Sequence, residues 1–332
     1  MKRALLLVLA ALAAGCASEL DALSPAGPAA RRLADLGWPV LVFFIVTSAV
    51  MWAILIWAAL RRTGTLAEHD APDAGGGKRW VAYGGFVVPG AAFGAVFLAT
   101  LRTMNAFPVD HHAHGAPEIR VVGHQWWWEV HYLSKDLNEV FVTANEIHVP
   151  AGRPVDVELR SFDVIHSLWA PRLHGKVDLI PGMQNFIRLQ ADQPGRYPGA
   201  CAEFCGLQHA HMKFAVVADA PDEYARWLAR QRKPAPEPDS EETRRGRQSF
   251  LGGPCVLCHT VRGTDARGTV GPDLTHLASR ATIGAWLPRD LANLHAWVVN
   301  APSLKPGAQM PPLNQFSGQE LHDLVAYLQT LK

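Results

Sequence analysis

The sequence predicts a multi-domain chain: an N-terminal two-helix transmembrane hairpin, then an all-β domain, then a small all-α domain. Three observations carry this expectation. Residues 37–60 and 80–101 are charge-free apolar stretches, long enough to cross a hydrocarbon core. Residues 118 to about 219 change to short alternating segments broken by Pro and Gly, the pattern of strands and turns. After the Pro-rich, charged stretch 231–241 the pattern becomes helical.

The N-terminus comes first in order. Residues 1–15 have a basic start, a short apolar run and small residues, the layout of a signal peptide rather than a span. Cys16 follows Ala-Ala-Gly, as in a lipoprotein cleavage box, with Ala13 where leucine is usual. The hairpin is expected over 20–105, with helices at about 37–60 and 80–101. Arg61, Arg62, Lys78 and Arg79 flank its loop, so the positive-inside rule puts that loop in the cytoplasm and everything after residue 101 outside. At 332 residues, 49% hydrophobic and 18% charged, the chain suits a membrane protein with more than one domain. A formal net charge of +1 supplies no field for nucleic acid.

The β domain is expected over 115–230, with strands in the segments 118–130, 140–150, 153–161, 184–190 and 212–219. A linker over 231–239 leads to a helical domain over 240–332. Asp239 with Glu242 suggests a cap for a helix through residue 251, and Ser317 with Glu320 a capping box for a final helix to about 331.

Five cysteines, one near the N-terminus and two close pairs, do not form a disulfide framework. Cys201-Ala-Glu-Phe-Cys205-Gly-Leu-Gln-His209-Ala-His-Met212 sets two thiolates, an imidazole and a thioether within one loop. Such soft ligands suit copper or zinc, and Met212 favours copper. His166, in Asp163-Val-Ile-His166-Ser-Leu-Trp169, is the best candidate for a second histidine. A disulfide or a mononuclear site are the competing readings. His111, His112 and His114 read as a solvated linker tract, and His211 is left unassigned.

Cys255-Val-Leu-Cys258-His259 is a C-x-x-C-H, the attachment site of a c-type haem, with a redox dithiol or half a zinc site as alternatives. Met310 is the only methionine after it, and a Met/His pair suits electron transfer. His276, His295 and His322 are rival ligands.

The motifs C-x-E-x-C-G-x-x-H-x-x-M, D-V-I-H-S-L-W and G-H-Q-W-W-W resemble subunit II of the haem–copper cytochrome c oxidases over roughly residues 20–230. The resemblance implies a cupredoxin-like Greek-key domain with a binuclear CuA centre bridged by Cys201 and Cys205. His166 and His209 would each cap one copper, with Met212 and the Glu203 carbonyl as weak ligands. It further implies that the Glu203 carboxylate helps bind magnesium against subunit I, and that Trp126 is the point of electron entry. Residues 240–332, with Gly271-Pro272-Asp273-Leu274, resemble a class I cytochrome c. Together these imply the caa3 type of oxidase: electrons enter at a c haem on Cys255, Cys258, His259 and Met310, pass through CuA, and reach subunit I, where oxygen is reduced and protons are pumped. The implied partners are subunit I, other oxidase subunits, membrane lipid and a donor such as a cytochrome c or a cytochrome bc complex. The implied location is the bacterial inner membrane, with both redox domains periplasmic. A CuA-bearing nitric oxide reductase subunit or a non-enzymatic copper and haem carrier are the alternatives. One departure stands out: Ala82 replaces a glutamate common in the family near a proton channel, leaving Glu68, Asp70 or Asp73 as candidate entry acids.

Overall fold

The computed structural model describes residues 20–61, 77–104 and 116–332. The expected signal peptide, Cys16, the acids Glu68, Asp70 and Asp73, and the histidines 111, 112 and 114 lie outside the described residues.

Two long helices form one compact unit. Helix α1 spans Pro28–Leu60 and α2 spans Gly77–Met104. Both run beyond the charge-free stretches, because Ala29–Leu36 and Lys78–Arg79 are good helix formers although polar in part. Pro28 opens α1, where its missing N–H costs nothing, and Pro39 is carried inside it. Tyr83–Val87 of α2 form a π-helical segment directly after Ala82. Phe44, Trp52, Trp57, Phe86 and Phe93 are all exposed. Side chains this apolar need lipid or protein around them.

The β domain is a sandwich of two five-stranded sheets. One sheet has the order β3-β2-β1-β5-β8 and the other β4-β10-β9-β6-β7. The strands are β1 Ile119–His124, β2 Trp127–Tyr132, β3 Phe141–Ala144, β4 Glu146–Pro150, β5 Val155–Ser161, β6 His166–Trp169, β7 Val177–Leu179, β8 Asn185–Leu189, β9 Gly195–Cys201 and β10 Lys213–Asp219. β1 with β5 and β4 with β10 run parallel, while the remaining pairs are antiparallel. This mixed two-sheet order is the cupredoxin-like arrangement. Alternate residues such as Ile119, Val121, Trp128, Val130, Val157 and Leu159 fill the space between the sheets and are fully buried.

Two expected strands are each two strands. Segment 118–130 is a hairpin turning at Gln125-Trp126, which are joined by a cis peptide bond. Segment 140–150 switches sheets at Asn145, whose left-handed backbone (φ 63°) ends β3 and whose Oδ1 accepts from Trp128 N at 2.9 Å. Strands β6, β7 and β9 were not expected; His166–Trp169, Val177–Leu179 and the Pro-containing Gly195–Cys201 are short or irregular in pattern. Helix α3 (Pro221–Gln231) then packs Trp227 against His148, Tyr132 and Phe141.

The C-terminal domain holds α4 (Glu241–Gly252), the helical turn α5 (Cys255–Cys258), α6 (Leu291–Leu304) and α7 (Gly318–Thr330), with a two-residue ribbon, β11 Thr282–Ile283 and β12 Leu287–Pro288. Ser240 caps α4 reciprocally with Thr243, so the expected Asp239–Glu242 cap is displaced by one residue. Ser317 and Glu320 form the capping box of α7. The α4–α7 crossing depends on Gly246, where a Cβ would lie 1.9 Å from Asp323 O. Phe250, Leu294, Val298, Leu324, Tyr327 and Leu328 make the core of this domain.

Candidate copper and haem centres

The loop after β9, the start of β6 and the entry to β10 bring the soft donors together. Cys201 Sγ and Cys205 Sγ are 3.8 Å apart. His166 Nδ1 lies 3.9 Å from Cys201 Sγ, and His209 Nδ1 lies 3.6 Å from Cys205 Sγ. Met212 Sδ is 3.8 Å from Cys205 Sγ, and Glu203 O is 3.2 Å from Cys201 Sγ. His166 and Met212 are fully buried and both cysteines nearly so. The carboxylate of Glu203 points away from the cluster, 45% exposed and 3.5 Å from Lys176 Nζ.

The two thiols titrate against each other. The Cys205 thiol, His166 and backbone N–H groups hold Cys201 well below the usual thiol range, to about 3, although burial opposes this. The same close neighbour and burial push Cys205 up. The shared proton keeps the two sulfurs paired, and a cation bound between such thiols would favour their deprotonated forms. Six donors with no opposing positive side chain among them fit copper.

Surrounding residues that sequence reasoning did not single out fix this geometry. His166 Nε2–H donates to Asp163 Oδ1 at 2.8 Å, leaving the Nδ1 lone pair toward the thiolates. Burial opposes ionisation of Asp163, but His166 and the N–H groups of Val164 and Gln125 still hold its carboxyl below the ordinary range. Gly123 leaves room for the His166 ring, since a Cβ there would lie 2.7 Å from His166 Cδ2. Gly206 turns the loop at φ 108°. Asp163, Gly123 and Gly206 all stand inside the motifs quoted from the sequence, but nothing in those motifs told what each one supports.

Trp126 is half-buried beside the cluster. Its Nε1–H donates to Cys205 O at 2.9 Å, and Gln125 Nε2 donates to the same carbonyl at 2.7 Å. With Gln125, Trp127 and Asn145, Trp126 also lines a cavity of about 300 Å³ whose remaining walls are in the helical domain.

That cavity is lined by Cys255, Cys258, His259, Pro272 and Met310. His259 Nδ1–H donates to Pro272 O at 2.8 Å, which fixes the tautomer and leaves Nε2 as a free lone pair. Burial lowers the His259 pKa despite that bond, keeping the ring neutral. Burial also raises the Cys255 thiol to about 11. Arg280, wholly buried, lines the same cavity; its guanidinium bonds Asp273 O, but its Nε has no partner. A buried arginine in the wall of an apolar hollow, with one N–H left without a partner, fits a haem with its anionic propionates, and sequence reasoning missed it because an isolated arginine carries no motif. Of the rival ligands, His276 bonds Lys332 O and Lys233 O, His322 faces Glu242 at the surface and His295 is exposed; none lines the cavity.

A soft-donor cluster in a β-sandwich beside a C-x-x-C-H cavity in a helical domain defines a redox protein of copper and haem. Comparison with known proteins bears this out. Residues 133–219 match the family of the cytochrome c oxidase subunit II periplasmic domain, and residues 243–332 match cytochrome c. Cytochrome c oxidase subunit 2 of Alkalihalophilus pseudofirmus is 34% identical, over 96% of this chain and 93% of that protein. The Bacillus subtilis protein of the same name is 27% identical, over 99% and 96%. The solved periplasmic domain of subunit II from Bradyrhizobium japonicum is 30% identical, covering 34% of this chain and 91% of its own, with a TM-score of 0.32. The chain belongs to the cytochrome c oxidase subunit II family, in the form with a fused C-terminal cytochrome c domain. It is thus a membrane-anchored subunit of a haem–copper oxidase, with copper and haem c as the cofactors its domains imply.

Proposed function

We propose that this chain is the electron inlet of its oxidase, taking electrons at a c haem and delivering them through a binuclear copper centre to subunit I. Cys255 and Cys258 would hold the haem covalently, with His259 and Met310 on the iron. Cys201 and Cys205 would bridge the coppers, with His166 and His209 as strong ligands and Met212 and the Glu203 carbonyl as weak ones. When bound, the two groups exchange single electrons with no bond made or broken. Trp126 carries the reading: it lines the haem cavity and donates to the carbonyl of Cys205, so one side chain spans the gap between the two sites.

The half-exposed Glu203 carboxylate, 3.5 Å from Lys176 Nζ and beside the exposed Phe204, would turn to a magnesium ion at a contact with subunit I. Residues 115–230 would form the copper domain, 231–239 the linker and 240–332 the haem domain. The flanking Arg61, Lys78 and Arg79 favour a multi-pass chain in the inner membrane with its two domains periplasmic. An external cytochrome c or a cytochrome bc complex is the donor class that suits a c haem.

Purification of the oxidase from membranes, with copper and haem analysis of this chain, tests the reading. A pair of coppers and a single c haem are expected, with the haem oxidised through copper when oxygen is admitted. Copper-free chain in an active oxidase would overturn it.

A further inference from the structure

We propose that Lys305 fastens the haem domain onto the copper domain, so that the two redox sites work as one docked unit rather than as tethered partners meeting by diffusion. This rests on the electron path proposed above.

Lys305 lies between α6 and Met310 and is 3% exposed. Its ammonium donates to Trp126 O at 2.7 Å, His211 O at 3.1 Å and Gly284 O at 2.7 Å. Three donors meet three acceptors, and among the described residues its hydrogen-bond partners are these carbonyls alone. Two of them belong to the copper domain. One is the backbone of Trp126 itself, and the other lies between His209 and Met212. The third is in the haem domain, so a single cation joins the entry tryptophan, the copper loop and the haem-domain ribbon. Lysines are rarely this buried without a carboxylate, and burial opposes the charge that the three carbonyls hold in place. That cost marks a specific position rather than a passing contact.

The neighbouring contacts are built the same way. Gln208 Nε2 donates to Pro306 O at 2.9 Å, while its Oε1 pairs with His211 Nδ1 at 2.7 Å. The ring of His211 stacks on Trp286 of the haem domain, centroids 4.3 Å apart and 20° from parallel. Ala281 N donates to the buried Glu146 of the copper domain at 2.9 Å. Gly307 has φ 88°, and a Cβ there would lie 3.1 Å from two atoms of the Trp126 indole, so its loop can lie directly on that ring. Encounter surfaces use rim charges that salt screens. This interface uses buried carbonyls, amides and stacked rings, so docking should not depend on salt.

The test uses the full chain in its assembled oxidase, carrying Lys305→Met, Lys305→Arg or Gln208→Ala. Transfer from flash-reduced haem to copper is timed at low and high salt, and amide exchange is read at 125–128, 208–212 and 284–286. In the unaltered chain, transfer is expected to be insensitive to salt. Lys305→Met should slow it about tenfold or more, the order expected on removing a buried hydrogen-bonded charge at an interface. Exchange should rise on both sides of the interface while copper and haem contents hold. Lys305→Arg should recover part of the rate, and Gln208→Ala should move rate and exchange the same way by less. Unchanged transfer and exchange in both Lys305→Met and Gln208→Ala would overturn the proposal. If Lys305→Met fails to accumulate with haem, Gln208→Ala decides. A chain without copper would refute the underlying electron path instead, and interface exchange would still test the fastening.

Discussion

The candidate copper site and the candidate haem site gather their donors in contrasting ways. Each candidate copper donor side chain lies within 4 Å of a cysteine Sγ, drawn from a loop and a strand end braced by two sheets. The candidate haem ligands His259 and Met310 both line a hollow of about 300 Å³, most of it within a domain of four short helices. One site takes its donors from a loop and strand end held by a packed sandwich. The other sets its candidate ligands around a hollow that a haem would fill, so bound haem is expected to stabilise that domain as well as to carry electrons.

Breaking each site should expose that contrast. The largest effect is expected from Cys255→Ala with Cys258→Ala. Covalent haem and donor-driven oxygen uptake should both be lost, and residues 240–332 should become protease-sensitive while copper content stays normal. A haem-free domain that resists protease would refute the contrast. Cys201→Ser with Cys205→Ser should remove copper and oxygen uptake yet leave the β-domain folded, as its amide exchange would report. Asp163→Ala should be milder, weakening copper retention against a chelator by about 10- to 100-fold, the usual cost of losing an outer partner of a ligand histidine. Retention equal to the unaltered chain would show that Asp163 does not orient His166.

The smallest effect lies in acid. Burial opposes ionisation of Glu146, but His148, Ala281 N and Arg196 hold its carboxyl down at about 2 from an ordinary 4.5. Because the folded value is the lower one, its contribution of about 3 kcal/mol is complete above pH 4.5 and fades as pH falls toward 2. Glu146→Gln should therefore lower stability at neutral pH and converge with the unaltered chain in acid. Parallel acid-unfolding curves would exclude that linkage.

Sequence alone sufficed where chemistry is local. C-x-x-C-H carries its own attachment geometry, the soft cluster at 201–212 sits within one loop, and two charge-free stretches need only length to announce spans. The capping box at Ser317 was equally plain, because its partners are three residues apart. Tertiary structure decided whatever depends on distant backbone. It split 118–130 into a hairpin, switched sheets at Asn145, brought Asp163 and Gly123 around His166, aimed Arg280 into the hollow and buried Lys305 against Trp126. Each of these acts through carbonyls, space or burial rather than through a residue pattern. A periodicity can report which face is buried, but not which carbonyl lies opposite an ammonium 179 residues away.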